Sequence, residues 1–166
     1  MNWQSIQELL KQRPEDFQGY LDRDILLPLL LGEDTADLSY WLGKSLARRL
    51  PLAEWDDLVS FFARADWGEL SLISQKKSVT ELRLQGPTVA KRLAFPATAS
   101  FSLETGFVAQ TREQQLGFLT EASFTVDARH QRVSLRIQTD LKDPVAQPRP
   151  EFIQLTTPVA DSAPTE

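Results

Sequence analysis

The spacing of apolar residues changes at Trp67-Gly68, and this change constrains the fold more than any other feature of the 166-residue chain. Before it, apolar residues recur at helical spacing. After it, segments of strict apolar–polar alternation lie between further helical segments. Helical spacing puts apolar side chains on one side of a helix, and alternation puts them on one face of a strand. The chain must therefore bury helices against a sheet.

Four helical segments precede the change. The fourth has the clearest apolar stripe, formed by Trp55, Leu58, Val59 and Phe62. Pro28 lies inside the second segment and predicts a kink or an early end there, because proline has no backbone N–H to donate. The predicted helices cover about residues 3–13 and 17–31, a third segment that Asp34 or Thr35 caps and that reaches Arg49, and the stretch that follows Pro51.

Two hairpins and two further helices follow. Alternation around Lys77-Ser78 predicts the first hairpin, and alternation from Phe124 to Ile137, around a polar turn at residues 127–131, predicts the second. Between them we predict a short helix after Gly86-Pro87, to about residue 93, and a longer one over residues 102–120. The predicted fold class is α+β, with about six helices packed on a four-stranded antiparallel sheet made of the two hairpins.

Proline content divides the chain into a domain and a tail. Five of the ten prolines lie in the last 24 residues, which also carry four acids and one base. Prolines at this density block regular helices, so we expect the segment to be extended or disordered. Phe152, Ile153 and Leu155 could dock it on a surface. We therefore predict one domain over residues 1–145 and a disordered, Pro-rich acidic tail over residues 146–166.

Composition excludes several kinds of site. The chain has no cysteine, so disulfides, thiol nucleophiles and cysteine-ligated metals are excluded. His130, the one histidine, lies in a predicted turn and cannot form a multi-histidine metal site. A net charge of −5 argues against a general nucleic-acid binder. No nucleophile or phosphate-binding motif is present, so we expect no enzyme activity, catalytic residue, cofactor or metal.

The longest apolar stretch, Ile25 to Leu31, has seven residues, against the ~20 that a membrane span needs. The N-terminus lacks the charged and apolar regions of a secretory signal. We expect a soluble cytoplasmic protein with no membrane span.

Glu104 is the carboxylate most in need of explanation, because it lies in a predicted helix rich in apolar and small residues. A buried carboxylate needs a cation such as Lys44, Arg48 or Arg92 beside it. We favour a buried ion pair that holds two helices together; the alternative is a polar anchor in a ligand pocket. Lys44 and Arg48, four residues apart, could instead hold an anionic head group.

Gly43 and Gly106 lie inside predicted helices, where glycine costs about 1 kcal/mol relative to alanine. They indicate either a close approach of two helices or room for a ligand or partner. Trp41 and Phe107 are expected in the core, as large aromatic side chains usually are. The basic residues of the second hairpin favour a solvated sheet face, with nucleic-acid binding as the weaker alternative; they are Arg129, Arg132 and Arg136.

Many short motifs follow one another over about residues 20–145. Among them are Leu26-Leu27-Pro28-Leu29-Leu30-Leu31-Gly32, Tyr40-Trp41-Leu42-Gly43-Lys44-Ser45-Leu46-Ala47-Arg48, Trp67-Gly68, Gly86-Pro87, Phe101-Ser102-Leu103-Glu104-Thr105-Gly106-Phe107 and Asp140-Leu141-Lys142-Asp143-Pro144-Val145. In order and spacing these motifs resemble the YslB-like family of uncharacterised bacterial proteins. That family is distantly similar to a superfamily of 4-vinyl-reductase-type domains, TRAPP vesicle-tethering subunits and haem nitric-oxide sensors.

The resemblance implies a fold of helices on a four-stranded sheet that encloses an apolar ligand or assembles through its helices. Haem is not expected, because His130 is not on a helix, and the absence of cysteine excludes acylation on sulfur. We expect a non-enzymatic module that binds an apolar small molecule or a protein partner and forms a homodimer. The candidate ligand-binding residues are Trp41, Gly43, Lys44, Arg48, Glu104, Gly106 and Phe107.

Two alternatives stay open. One is an enzyme of unrecognised class that uses Glu104 with a nearby basic residue, which requires Glu104 to reach solvent. The other is a weak nucleic-acid-binding regulator that uses the three arginines of the second hairpin.

Overall fold

The computed structural model describes residues 3–12, 17, 19–95 and 99–156. Over these residues it contains five helices of seven residues or more and four strands. The helices are α1 (Trp3–Gln12), α2 (Thr35–Arg49), α3 (Trp55–Arg64), α4 (Pro87–Leu93) and α5 (Ser102–Leu116). The strands are β1 (Glu69–Lys76), β2 (Val79–Gln85), β3 (Phe118–Asp127) and β4 (Arg132–Pro144).

The four strands form one antiparallel sheet with the order β1-β2-β4-β3. The two hairpins meet through β2 and β4, where Leu82 pairs with Leu135. Alternate residues of these central strands are buried, and they belong to the same apolar cluster as Leu58 and Phe62 of α3. The α+β fold class and the four-stranded sheet of two hairpins are therefore confirmed.

About six helices were predicted, and the described residues contain five of seven residues or more, because the predicted second helix is irregular. Residues Leu21–Leu26 form a π-helix, Leu27–Leu31 an α-helical turn and Gly32–Asp34 a 3-10 turn. We call Leu21–Leu31 the 21–31 segment. Pro28 lies in the first turn of the α-helical part and has no N–H to donate to the π-helical turn that precedes it.

The predicted end of the long helix, at residue 120, was wrong. Helix α5 ends at Leu116, and Gly117 takes the left-handed conformation with φ of 77°. Glycine adopts this conformation without steric penalty and commonly terminates helices. Strand β3 begins at Phe118, directly after it.

Helices α2 and α5 cross with their backbones in contact at two glycines. A Cβ atom on Gly43 would lie 2.1 Å from the carbonyl oxygen of Leu103, and one on Gly106 would lie 2.0 Å from that of Tyr40. Each helix therefore contributes one glycine against the backbone of the other. At these two positions the space that a ligand would need is filled by the facing helix.

Aromatic side chains fill the layer between α3 and α5. Phe107 is fully buried and stacks on Phe61 with ring centroids 4.5 Å apart. Trp67, at the start of the sheet half of the chain, packs edge-on against Phe107 at 5.4 Å. This cluster joins the helical first half of the chain to the sheet.

The described part of the tail is extended and attached to the start of α3. Ile153 forms a parallel bridge with Leu52, with its N–H donating to Pro51 over 2.7 Å. The Oδ1 atom of Asp57 accepts hydrogen bonds from the backbone N–H of Leu155 (2.7 Å) and from the N–H and hydroxyl of Thr156 (2.8 and 2.9 Å). The domain boundary at residue 145 stays a prediction, and residues 157–166 lie outside the described residues.

Burial of Asp57 acts to raise the pKa of its carboxyl group, but the hydrogen bonds from Thr156 and Leu155 outweigh it. The N–H of Glu54 adds a further bond to Oδ2, at 3.0 Å. The net result is a pKa below the ordinary value for aspartate. The ionised carboxylate therefore secures both the first turn of α3 and the tail.

Substitution of Gly106 with alanine tests the helix crossing. Helix propensity alone predicts stabilisation by about 1 kcal/mol, since alanine favours helices over glycine. The close contact with the backbone of Tyr40 predicts destabilisation instead. We expect Gly106→Ala to lower the free energy of unfolding by about 3 kcal/mol, because the added methyl group overpacks the crossing. Urea unfolding measures the difference. Gly19→Ala, where a Cβ has no atom within 4 Å, is the control, and stabilisation by Gly106→Ala would disprove the crossing.

Substitution of Asp57 with asparagine tests the attachment of the tail. We expect Asp57→Asn to lower the free energy of unfolding by about 2 kcal/mol at neutral pH, since hydrogen bonds to a charged group contribute roughly 1.5–3 kcal/mol. The pKa of Asp57 is lower in the folded chain than in the unfolded chain. The wild type therefore has its full excess in free energy of unfolding over Asp57→Asn at neutral pH. This excess begins to fall below about pH 4 and is lost as the pH drops through the pKa of Asp57 in the folded chain.

Urea unfolding from pH 7 to pH 3 measures this pH dependence. Asp56→Asn is the matched control, because Asp56 is an exposed carboxylate in the same helical turn. Equal losses for the two variants would show that only helix-terminus electrostatics is involved.

Candidate functional site

An open apolar cleft of about 670 Å³ lies beside the first turn of α2. The 21–31 segment contributes Leu27, Pro28 and Leu29, and the outer strand β3 contributes Phe124 and Val126. The start of α5 closes it. The other lining residues are Arg23, Asp24, Gly32, Glu33, Thr35, Ala36, Ser39, Ala99, Ser100 and Leu103. The cleft therefore brings together four parts of the chain.

A second cleft, of about 610 Å³, is polar. It lies where the 21–31 segment, the α3–β1 connection, α4 and α5 come together. Its lining residues are Gly19, Tyr20, Asp22, Arg23, Ala65, Asp66, Trp67, Thr88, Lys91, Arg92 and Glu104. Arg23 lines both clefts.

A buried ion network lies between the two clefts. The guanidinium of Arg92 donates to both carboxylate oxygens of Asp24, over 2.9 and 2.8 Å, and to Oε1 of Glu104 over 2.8 Å. A fourth bond, of 2.7 Å, goes to the backbone oxygen of Ser100. Asp24, Arg92 and Glu104 belong to three different elements, and all three are buried.

Burial acts to lower the pKa of Arg92, but its bonds to Asp24 and the charge of Glu104 outweigh that effect and raise it above the ordinary value. Arg92 is therefore a charged group inside the protein. The bidentate contact with Asp24 has the geometry that an arginine fork makes with a carboxylate.

Arg23 extends this network toward the polar cleft. Its guanidinium lies 2.6 Å from Oε1 of Glu104 and 5.1 Å from the ring centre of Trp67. The Arg23 side chain is 18% exposed, whereas that of Glu104 is fully buried. Arg23 thus covers Glu104 on the side of the cleft. Arg23 and Asp24 were not predicted as site residues, because their placement depends on a π-helix that apolar periodicity does not reveal.

A second polar cluster ties α2 to β3. Lys44 is buried, and its Nζ atom donates to Oε1 of Glu121 over 2.8 Å. The hydroxyl of Tyr40 donates to the other oxygen of Glu121 and accepts from the N–H of Ala122. Burial and the hydrogen bond to Glu121 raise the pKa of Tyr40 above its ordinary value. These contacts hold Lys44 inside the protein and Tyr40 partly buried beside it.

The structure separates the seven candidate residues. Glu104 lines the polar cleft, and none of the other six lines either of the two large clefts. Gly43 and Gly106 form the helix crossing, Phe107 is in the aromatic cluster, and Lys44 pairs with Glu121.

Trp41 was expected in the core and is 57% exposed. Its position on the side of α2 turned away from α5 explains this, since the crossing at Gly43 turns the opposite face inward. Arg48 is also exposed, and it lines a third depression of about 200 Å³ beside the start of the tail. Lys44 and Arg48 are therefore not brought together.

Charges of the second hairpin are largely paired. Arg132 lies 2.9 Å from Asp127, and Arg136 lies 3.3 Å from Glu81. His130 is exposed in the turn, with Nδ1 2.8 Å from Asp127, and its side-chain hydrogen bond lowers the pKa of Asp127. Within the described ranges, no group of three or more His, Cys, Asp or Glu side chains is placed to hold a metal ion.

No helix in the part of the chain that the structure describes has the length and apolar character to cross a membrane.

Comparison with known proteins shows both the family and the fold. The family described as "Protein of unknown function (DUF2507)" matches residues 16–138. The uncharacterized protein YslB of Bacillus subtilis (strain 168) is 37% identical over 141 residues, which cover 85% of this chain and 95% of the relative. This agreement confirms the YslB-like resemblance.

Two solved structures are similar. A vinyl-4-reductase family protein from Methanocaldococcus jannaschii superposes with a TM-score of 0.50 at 15% identity, covering 82% of this chain and 91% of that one, and it shows that the fold is shared. A trafficking protein particle complex subunit 3 from Naegleria fowleri has a TM-score of 0.42 at 10% identity, covering 87% and 98%. The family match over most of the domain, together with the Bacillus relative, identifies the chain: it belongs to the DUF2507 family of proteins of unknown function.

Proposed function

We propose that this chain is a non-enzymatic binding module whose apolar cleft takes a small, predominantly apolar molecule. The observation that carries the proposal is the cleft itself. Its volume of about 670 Å³ lies within the roughly 300–1,000 Å³ typical of small-molecule sites. Leucine, proline, phenylalanine and valine side chains from separate elements converge on it. Apolar lining with a few polar groups is the usual chemistry of such sites.

Ser39 supplies a polar contact in this cleft. It is 2% exposed, lines the cleft, and its Oγ atom has no hydrogen-bond partner among the described residues. A buried hydroxyl without a partner carries a desolvation penalty of about 1–3 kcal/mol. A ligand that places one oxygen or nitrogen beside Ser39 removes that penalty. We therefore propose an apolar ligand that carries a single polar atom.

The surroundings of Glu104 support a binding role over the enzyme alternative. The carboxylate has no exposed surface and holds both Arg92 and Arg23 on one oxygen. That alternative needed Glu104 to reach solvent beside a basic group. Pairing of Arg132 and Arg136 with acids likewise weakens the nucleic-acid alternative, because paired charges attract phosphates less.

Filling the cleft tests the ligand proposal. Ala36 is exposed and lines the cleft, so Ala36→Trp fills it without disturbing the core. We expect Ala36→Trp to weaken binding of the neutral fluorescent probe N-phenyl-1-naphthylamine at least tenfold, because the new ring occupies the apolar volume. Fluorescence titration measures the dissociation constant. Ala63→Trp, at an exposed position of α3 that lines neither large cleft, is the matched control.

Native mass spectrometry of the protein purified from its own host extends this test. We expect a retained molecule on the wild type and on Ala63→Trp, and none on Ala36→Trp. Probe binding that is equal in both variants, with no retained molecule on the wild type, would contradict the ligand proposal.

The exposed face of α2 supports self-association as a homodimer. Leu38, Trp41 and Leu42 are 44%, 57% and 48% exposed. Exposed acids lie at the start of this helix (Asp34 and Asp37) and exposed arginines at its end (Arg48 and Arg49). Antiparallel pairing of two α2 helices about a two-fold axis would bury the apolar residues and bring the acids of one copy to the arginines of the other.

Substitution of Trp41 tests this arrangement. We expect wild-type protein to sediment as a dimer at tens of micromolar and Trp41→Glu as a folded monomer, because a carboxylate at the centre of the face cannot be desolvated without a partner. Leu141→Glu, at an exposed leucine on β4, is the control and should remain dimeric. A wild type that is monomeric by analytical ultracentrifugation would reject the dimer.

A further inference from the structure

The buried carboxylate of Glu104 is incompletely hydrogen-bonded. Its Oε1 atom receives both Arg92, at 2.8 Å, and Arg23, at 2.6 Å. Its Oε2 atom is buried and accepts no hydrogen bond from any residue that the structure describes. Leaving a buried charged acceptor unsatisfied is among the more expensive defects in a protein. Since Glu104 lines the polar cleft behind Arg23, a donor that enters this cleft and displaces Arg23 can reach it.

The donors of Arg92 are largely committed, which bears on the charge that a ligand of this cleft would carry. Four of the five N–H groups of Arg92 are used, in bonds to Asp24, Glu104 and Ser100. Arg23 is held by Glu104 and by the ring of Trp67. The site therefore has an unused acceptor, and Arg92, its buried cation, has most of its donors engaged. This favours a ligand that donates hydrogen bonds over an anion that needs to receive them.

The charges and the aromatic rings around the polar cleft also favour a cationic ligand. Three basic side chains (Arg23, Lys91 and Arg92) and three acidic ones (Asp22, Asp66 and Glu104) line the polar cleft, and Asp24 behind it brings the net charge of cleft and network to −1. Tyr20 and Trp67 also line the cleft. Aromatic rings attract cations through the negative potential of their faces.

We propose that the polar cleft is a second binding site, which takes a small organic cation bearing a primary ammonium group. The ammonium group passes Arg23 and donates to Oε2 of Glu104, while the organic part of the ligand lies against Trp67. The side chain of Arg23 can move aside, because Arg23 lies on the π-helix of the 21–31 segment and is the partly exposed member of the network. Single π-helical turns are often found at functional sites. This site is distinct from the apolar cleft, and its test does not depend on that proposal.

Titration with three small probes of similar size tests the site. The probes are n-butylammonium, n-butanol and butyrate, which keep the alkyl chain and change the head group from a cationic donor to a neutral donor to an anion. The indole N–H signal of Trp67 in 15N-labelled wild-type protein reports binding by NMR. We expect saturable shifts with butylammonium, at least tenfold weaker shifts with butanol, and none with butyrate.

Two variants assign the binding to Glu104. Glu104→Gln keeps the shape and an oxygen for Arg92 but removes the charge, and we expect at least tenfold weaker butylammonium binding. Arg23→Ala uncovers Glu104 and leaves its charge without one cation, so we expect at least threefold tighter binding and a rise in melting temperature on adding butylammonium. If Glu104→Gln does not fold, Arg23→Ala still tests whether the ammonium group reaches Glu104. Asp66→Asn, on another carboxylate of the same cleft, is the control and should bind as the wild type does.

Preference for butyrate over butylammonium would overturn the proposal. Equal weakening by Asp66→Asn and Glu104→Gln would also overturn it, because that result indicates general attraction of a cation to an acidic surface. Unchanged binding in Arg23→Ala would show that the ammonium group does not reach Glu104.

Discussion

The guanidinium of Arg92 joins three parts of the chain that no sheet or helix pairing connects. It binds Asp24 in the π-helix, Glu104 in α5 and the backbone of Ser100, while Arg92 itself belongs to α4. Removing one partner from a buried ion pair costs roughly 3–5 kcal/mol, because the remaining charge stays in a medium of low polarity. The 21–31 segment is therefore held in place by this network, and both large clefts use that segment as a wall.

The contact between α2 and α5 at Gly43 and Gly106 determines which side of α2 is buried. Because α2 and α5 touch at Gly43 and Gly106, the side of α2 next to these glycines is turned inward. Lys44 is buried as a result and needs an acid, which β3 supplies as Glu121. The opposite side of the same helix carries Trp41, Leu38 and Leu42 outward. The glycine crossing thus explains both a buried lysine and an exposed tryptophan.

Local patterns in the sequence predicted the fold well and the site poorly. The hairpins follow from alternation over a few residues, and their turns lie where Lys77-Ser78 and the stretch before Gln131 put them. The need of Glu104 for a cation was predicted from its apolar neighbours, with Arg92 among the three cations considered. The second cation, Arg23, was not predicted, because the periodicity of an α-helix does not reveal the extra residue of a π-helical turn. The partner of Lys44 lies 77 residues away along the chain, which no local pattern indicates.

A buried ion network of this kind is a weak source of stability, so its value has to lie in what it positions. A chain with well-packed apolar side chains in place of Asp24, Arg92 and Glu104 would fold as well or better, since folding would not remove three charges from water. They would also extend the apolar cleft through its wall, because Asp24 lines that cleft and Glu104 lines the polar one. The network keeps an apolar volume and a polar volume side by side without merging them. That separation is what two ligands of different chemistry, as proposed for the two clefts, would require.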